Sequence, residues 1–106
     1  MITFEKSVLS SLLVNATHDI DMGENGRATI YYETDRLAHM RRPDGVVMSG
    51  DWSLLDDGYA IAWRGGPVAR WRLKAAPGRI SYVDAEGRER GAVRSISFGN
   101  TACLPG

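Results

Sequence analysis

The chain has 106 residues, of which 43% are hydrophobic and 25% charged, and its formal net charge is zero. These values are typical of one small globular domain spanning residues 1–106, and they argue against a disordered chain. A nucleic-acid partner and a polybasic membrane anchor are not expected, because both depend on an excess of positive charge.

Two further features of the composition restrict the setting of the chain. No apolar run approaches the roughly 20 residues of a membrane-spanning helix. Cys103 is the only cysteine, so no internal disulfide can form, and a cytoplasmic location is expected. A catalytic role for Cys103 is not expected, because no histidine lies near it in sequence.

The first element is predicted to be a short helix over residues 4–14. Its apolar residues recur at helical spacing and form one stripe, which must pack against other elements. These residues are Phe4, Val8, Leu9, Leu12 and Leu13.

From Ala16 onward the hydrophobic period changes to two, which indicates strands. Turn signals such as Asn25-Gly26 and Pro43-Asp44-Gly45 divide residues 16–98 into about eight short strands. The connections are too short for crossover helices, so the strands should form an antiparallel meander. We therefore predict an all-β fold, either a small lipocalin-like barrel or a strongly bent open sheet. Gly50 is a candidate for a β-bulge.

Several short motifs resemble a family of small bacterial domains of unknown function, over residues 9–104. The run Leu12–Thr17 is similar to its "LL-x-G-N-T" opening, and Gly50-Asp51-Trp52 is similar to its "G-x-W" motif. The later matches are Asp57-Gly58 leading to Trp63, then Trp71, Tyr82, Asp84–Gly87 and Gly99-Asn100.

This resemblance implies a calycin-like barrel or sheet but brings no established activity. Relatives usually have a secretion signal and a cysteine pair on the two central tryptophan-bearing strands. The matching strands here carry Ala60, Ala62 and Ala69 instead, which argues against an extracytoplasmic location.

The aromatic residues suggest where a ligand would bind. Six of them fall at strand positions from which they can converge on one interior: Tyr32, Trp52, Tyr59, Trp63, Trp71 and Tyr82. Such a set can line an apolar pocket with a few polar tips, or it can simply fill the barrel. The candidate ligand-binding residues are Trp63, Trp71, Tyr32, Tyr82, His18 and His39.

The two histidines are the main candidates for chemistry. If His18 and His39 both faced inward, they could act with Tyr32 as acid and base in a shallow enzyme site. No third residue stands at a metal-ligand spacing, so neither a metal nor another cofactor is expected. A Ser-His-Asp triad is defined by geometry, and the sequence lacks the Gly-x-Ser-x-Gly elbow that often announces one.

The leading hypothesis is a non-enzymatic module that binds a small apolar ligand or a protein partner, including a second copy of itself. A strip of arginines, Arg64, Arg70 and Arg72, could meet an acidic partner or remain a solvated strand face. The alternatives are the small His/Tyr enzyme and, with less support, a single-stranded nucleic-acid binder that stacks bases on aromatic side chains.

Overall fold

A computed structural model describes residues 2–3, 6–55, 58–66, 68–102 and 104 of the chain. The predicted helix is present as α1 (Lys6–Leu13); its predicted first residues, Phe4 and Glu5, lie outside the described part. The strands are β1 (Ile2–Thr3), β2 (Ala16–Asp21), β3 (Arg27–Tyr32), β4 (Leu37–Arg41), β5 (Val47–Leu54), β6 (Tyr59–Trp63), β7 (Val68–Ala76), β8 (Arg79–Val83) and β9 (Glu89–Phe98).

Eight of these strands form a closed antiparallel barrel, which confirms the all-β prediction and decides in favour of the barrel over the open sheet. Each strand from β2 to β9 pairs with the next along the chain, and β2 pairs with β9 to close the ring. The two-residue strand β1, which was not predicted, adds to β7 outside this ring. No described helix has the length and apolar character needed to cross a bilayer.

The helix covers one end of the barrel. Leu9 and Leu13 on its apolar stripe are fully buried in the core. The chain leaves the helix through Asn15, whose φ of 56° is a left-handed conformation that asparagine tolerates better than most residues. We call this end, where β2 begins, the helix end. The opposite end, the turn end, is formed by the β2–β3, β4–β5, β6–β7 and β8–β9 connections.

Large aromatic side chains fill the interior and require small neighbours. Trp52, Tyr59 and Trp63 are all buried, as their alternation predicted. Gly50 is not in a bulge, because its pairing is regular on both sides of β5. It is needed because a Cβ atom there would come within 2.9 Å of the Trp63 ring and 2.7 Å of the Ala62 carbonyl oxygen.

The C-terminal segment packs on the outside of the barrel. The Thr17 hydroxyl donates to the Gly99 carbonyl at 2.6 Å, and the Arg41 guanidinium donates to the Ala102 carbonyl at 3.1 Å. Leu104 is only 4% exposed. The outer face of β2–β4 is therefore partly covered, although Cys103 itself lies outside the described residues.

Replacing Gly50 with alanine should destabilise the barrel by about 1–3 kcal/mol, because the added methyl group overpacks the contact with Trp63. Urea unfolding followed by tryptophan fluorescence measures this. Ser53→Ala, at an exposed position of the same strand, is the matched control and should change stability by less than about 0.5 kcal/mol. Equal stability of the two variants would contradict the packing described here.

Candidate functional site

A chain of hydrogen bonds runs through the barrel core and ends on the helix. The Tyr59 and Tyr32 hydroxyl oxygens are 2.8 Å apart, and those of Tyr32 and Tyr82 are 2.9 Å apart. The Tyr82 hydroxyl lies 2.7 Å from Nδ1 of His18, whose Nε2 lies 2.9 Å from the Leu12 carbonyl oxygen. This chain of hydrogen bonds therefore connects His18 on β2 with Tyr82 on β8, 64 residues apart in sequence, and connects both to α1.

The chemistry of these groups fixes the direction of every bond in the chain. A carbonyl oxygen only accepts, so His18 must carry its proton on Nε2. In the neutral ring Nδ1 is then an acceptor, and Tyr82 donates to it. Tyr32 consequently donates to Tyr82, and Tyr59 donates to Tyr32. Each hydroxyl has one proton and uses it once, and the described part of the chain contains no buried side-chain polar atom without a partner.

Burial keeps all four side chains neutral. Burial lowers the pKa of His18 from 6.5 to about 4, although the bond to the Leu12 carbonyl opposes this shift. Burial likewise raises the pKa values of Tyr32, Tyr59 and Tyr82 well above the usual value for tyrosine. The network therefore holds the strands and the helix together and has no ionised group with which to begin a reaction.

A small apolar cavity lies toward the turn end of the interior. Its volume is about 50 Å³, and no polar surface lines it. One part of the cavity wall consists of Trp71 and Tyr82. Another part consists of the half-buried side chains of Met22 and Met40. The remaining lining residues are Ile20, Ala28, Ile30, Arg90 and Gly91.

The second histidine lies on the other side of the barrel wall. His39 faces outward, because its neighbours Ala38 and Met40 on β4 face the core. Its Nδ1 lies 2.7 Å from the Ser49 hydroxyl, and its Nε2 lies 3.3 Å from a Glu33 carboxylate oxygen. Tyr31 stacks beside it with ring centroids 6.3 Å apart, and only 5% of His39 is exposed.

The structure thus brings together some of the predicted site residues and separates others. Tyr32, Tyr82 and His18 share one hydrogen-bonded network, and Trp71 joins Tyr82 at the cavity. The hypothesis of two inward-facing histidines is wrong, because His18 and His39 occupy opposite faces of the wall. His39 therefore does not belong to the interior site.

Sequence reasoning missed the residues that complete each site. Met22 and Met40 line the cavity, and Met48 packs against the core nearby. Their period-two spacing placed Met22 and Met48 on inward faces, but that pattern does not distinguish a cavity wall from filled core. Ser49 and Glu33 carried no signal, since their meeting with His39 depends on the register of β4 and β5.

Comparisons with models of known protein families, with curated proteins and with solved structures give no match. Among the described residues no group of three or more histidine, cysteine, aspartate or glutamate side chains is arranged to hold a metal ion.

Stability should fall as the pH is lowered from about 6.5 toward 4. In the unfolded chain His18 takes up a proton near pH 6.5, whereas in the folded chain it stays neutral until about pH 4. Acid therefore favours the unfolded state, by up to roughly 1.4 kcal/mol per pH unit within that window.

Urea unfolding of the wild type and of His18→Gln between about pH 7 and pH 5 measures this effect. The carboxyl groups of Asp84 and Glu89 have lowered pKa values and lose their charge below this range. The free energy of unfolding should change less steeply with pH in His18→Gln than in the wild type. Identical slopes would contradict a neutral, buried His18.

The positions of Tyr59 and Tyr82 in the hydrogen-bond chain predict unequal effects of removing their hydroxyl groups, because Tyr59 makes one bond of the chain and Tyr82 makes two. Tyr82→Phe leaves the Tyr32 hydroxyl without an acceptor and His18 Nδ1 without a donor, and should cost about 2–4 kcal/mol. Tyr59→Phe removes only the first donor and should cost about 1 kcal/mol. Both changes remove the same atom from a buried tyrosine, so each is the other's control. A larger loss in Tyr59→Phe would contradict this order of contacts in the hydrogen-bond chain.

Proposed function

We propose that this protein binds a small apolar ligand inside the barrel, at the turn end. The observation that carries this proposal is the cavity of about 50 Å³, whose lining has no polar surface. The apolar lining offers a water molecule no hydrogen-bond partner, so water gains little there. An apolar molecule would recover the dispersion contacts that the wall residues lack.

The two ends of the barrel differ in a way that supports entry at the turn end. The helix end is closed by Leu9 and Leu13 and by the hydrogen-bond chain to Leu12. At the turn end the cavity wall includes the half-buried side chains of Met22, Met40 and Trp71. Methionine is unbranched and polarisable, so such a wall can adapt its shape to a ligand.

The volume limits the class of ligand. About 50 Å³ admits a group of a few non-hydrogen atoms, such as a short alkyl chain or the end of a longer one. A larger ligand would need Met22, Met40 or Trp71 to move outward. Trp71 and Tyr82 would contact the ligand, whereas Tyr32 and His18 would support Tyr82 from the helix side through the hydrogen-bond chain.

The broader assignments expected from the sequence remain part of this proposal. A closed barrel with an interior cavity agrees with the calycin-like family resemblance. The single cysteine agrees with a cytoplasmic setting, where disulfides are rare. Trp63 is 8% exposed and packs near Met48, so it would shape the wall indirectly.

A protein partner is the second candidate function, and one feature of β7 favours it. Residues Arg72–Ala76 pair with β8, but among the described strands Val68–Trp71 pair only with β6. The free side of this segment borders a shallow groove that includes Arg70 and Arg90. The groove also includes Asp84, which pairs with Arg90, and Glu86. An added strand from another protein would complete the backbone pairing there.

Xenon should bind the cavity, because it is apolar and small, and the binding can be followed through methyl chemical shifts of Ile20, Ile30 and Ala28. Ala28→Leu should abolish these shifts by filling the cavity. Ala62→Leu, at an exposed position on β6, is the matched control and should leave them unchanged.

The contradicting result is an absence of xenon shifts in the wild type, or shifts that persist in Ala28→Leu. Native mass spectrometry of the gently purified protein completes the comparison. Extra mass that disappears on denaturation supports a bound ligand. A ligand-free dimer, together with no xenon binding, would favour the protein-partner function instead.

A further inference from the structure

The outer face of the barrel carries a serine, a histidine and a carboxylate in one line of hydrogen bonds. Ser49 Oγ lies 2.7 Å from His39 Nδ1, and His39 Nε2 lies 3.3 Å from Glu33 Oε1. Ser49 and His39 face each other across β4 and β5, and Glu33 follows the end of β3. The cavity and the buried tyrosine network use none of these three side chains.

The polarity of these bonds is that of an activated nucleophile. The Glu33 carboxylate only accepts, so a His39 ring with a single proton carries it on Nε2. Nδ1 is then an acceptor, and the Ser49 hydroxyl must donate to it. A hydroxyl that donates to an imidazole held by a carboxylate is the arrangement that makes serine nucleophilic.

We propose that Ser49 is a nucleophile for acyl transfer from small esters, with His39 as general base and Glu33 as the positioning residue. The nitrogen assignment is the reverse of the familiar triad, in which serine faces Nε2. Either ring nitrogen of a neutral histidine can accept a proton when the other carries one. Using Nδ1 in place of Nε2 therefore changes the side of the ring on which the serine lies, and the proton transfer stays the same.

The surroundings of Ser49 suit a small ester. Ser49 is half-buried on the outward side of β5, so reaching it does not require opening the barrel. The Arg64 backbone N–H donates to the Ser49 carbonyl, which places Arg64, just after the end of β6, beside Ser49. The Arg64 side chain is 64% exposed, and its guanidinium lies 3.9 Å from an Asp51 carboxylate oxygen.

The reaction balances with water as the only co-reactant. Ser49 Oγ attacks the ester carbonyl carbon and its proton passes to His39 Nδ1. The carbon–oxygen bond to the leaving group breaks, and the leaving oxygen takes the proton from His39. Water then attacks the acyl-serine, gives a proton to His39, and releases the acid as Ser49 recovers its proton.

A fluorophosphonate ester tests this directly on the folded, full-length wild type. Its phosphorus bonds to Ser49 Oγ as fluoride leaves, so intact mass and peptide mapping should show one adduct, at Ser49. Unfolding in urea should abolish the labelling, and Ser49→Ala should remove the adduct. Ser53→Ala, at an exposed serine of the same strand with no histidine beside it, should label like the wild type.

The variants of His39 and Glu33 separate catalysis from structure. His39→Gln should lower the labelling rate by about 100-fold or more, because the general base is lost. Glu33→Gln should lower it as well, and ¹⁵N NMR should show the His39 proton leaving Nε2 while near-ultraviolet circular dichroism stays native. No adduct at Ser49 in the wild type, or an equal rate in His39→Gln, would overturn the proposal.

Discussion

The constraint on which the structure depends is the neutral His18 ring at the end of the buried hydrogen-bond chain. Three tyrosine hydroxyls in a core are costly unless each finds a partner. The chain satisfies them only if His18 accepts at Nδ1 and donates from Nε2 to the Leu12 carbonyl. The same contacts hold α1 over the helix end and join β2 to β8, so barrel closure and polar satisfaction depend on each other.

The chain of hydrogen bonds also divides the barrel interior into two regions that are packed differently. Toward the helix end the space is filled by tyrosines that edge-pack on one another, such as Tyr32 against Tyr59 at 5.8 Å between ring centroids. Toward the turn end lie Met22, Met40 and Trp71, beside the cavity. The hydrogen-bonded tyrosines therefore lie directly below a wall of unbranched and aromatic side chains that are only half-buried.

Much of the fold was predictable because it is encoded locally. Period-two alternation and turn residues indicated the strands, and the apolar stripe indicated α1. Closure of the barrel was not predictable, because it depends on the pairing of Ala16 with Phe98, which lie at opposite ends of the sequence. The outward orientation of His39 was also not predictable, because Leu37, two residues earlier on the same face of the strand, suggested that this face points inward. Ala38 faces the core instead, opposite Gly50, where two small residues make room for tryptophan rings.

The measurement that tests this account most directly is a ¹⁵N–¹H NMR spectrum of the side chain of His18 at neutral pH. We predict a neutral ring protonated on Nε2, with that proton hydrogen-bonded to the Leu12 carbonyl and protected from exchange with solvent. A ring protonated on Nδ1, or on both nitrogens, would contradict the direction assigned to the hydrogen-bond chain and the dependence of the barrel on it.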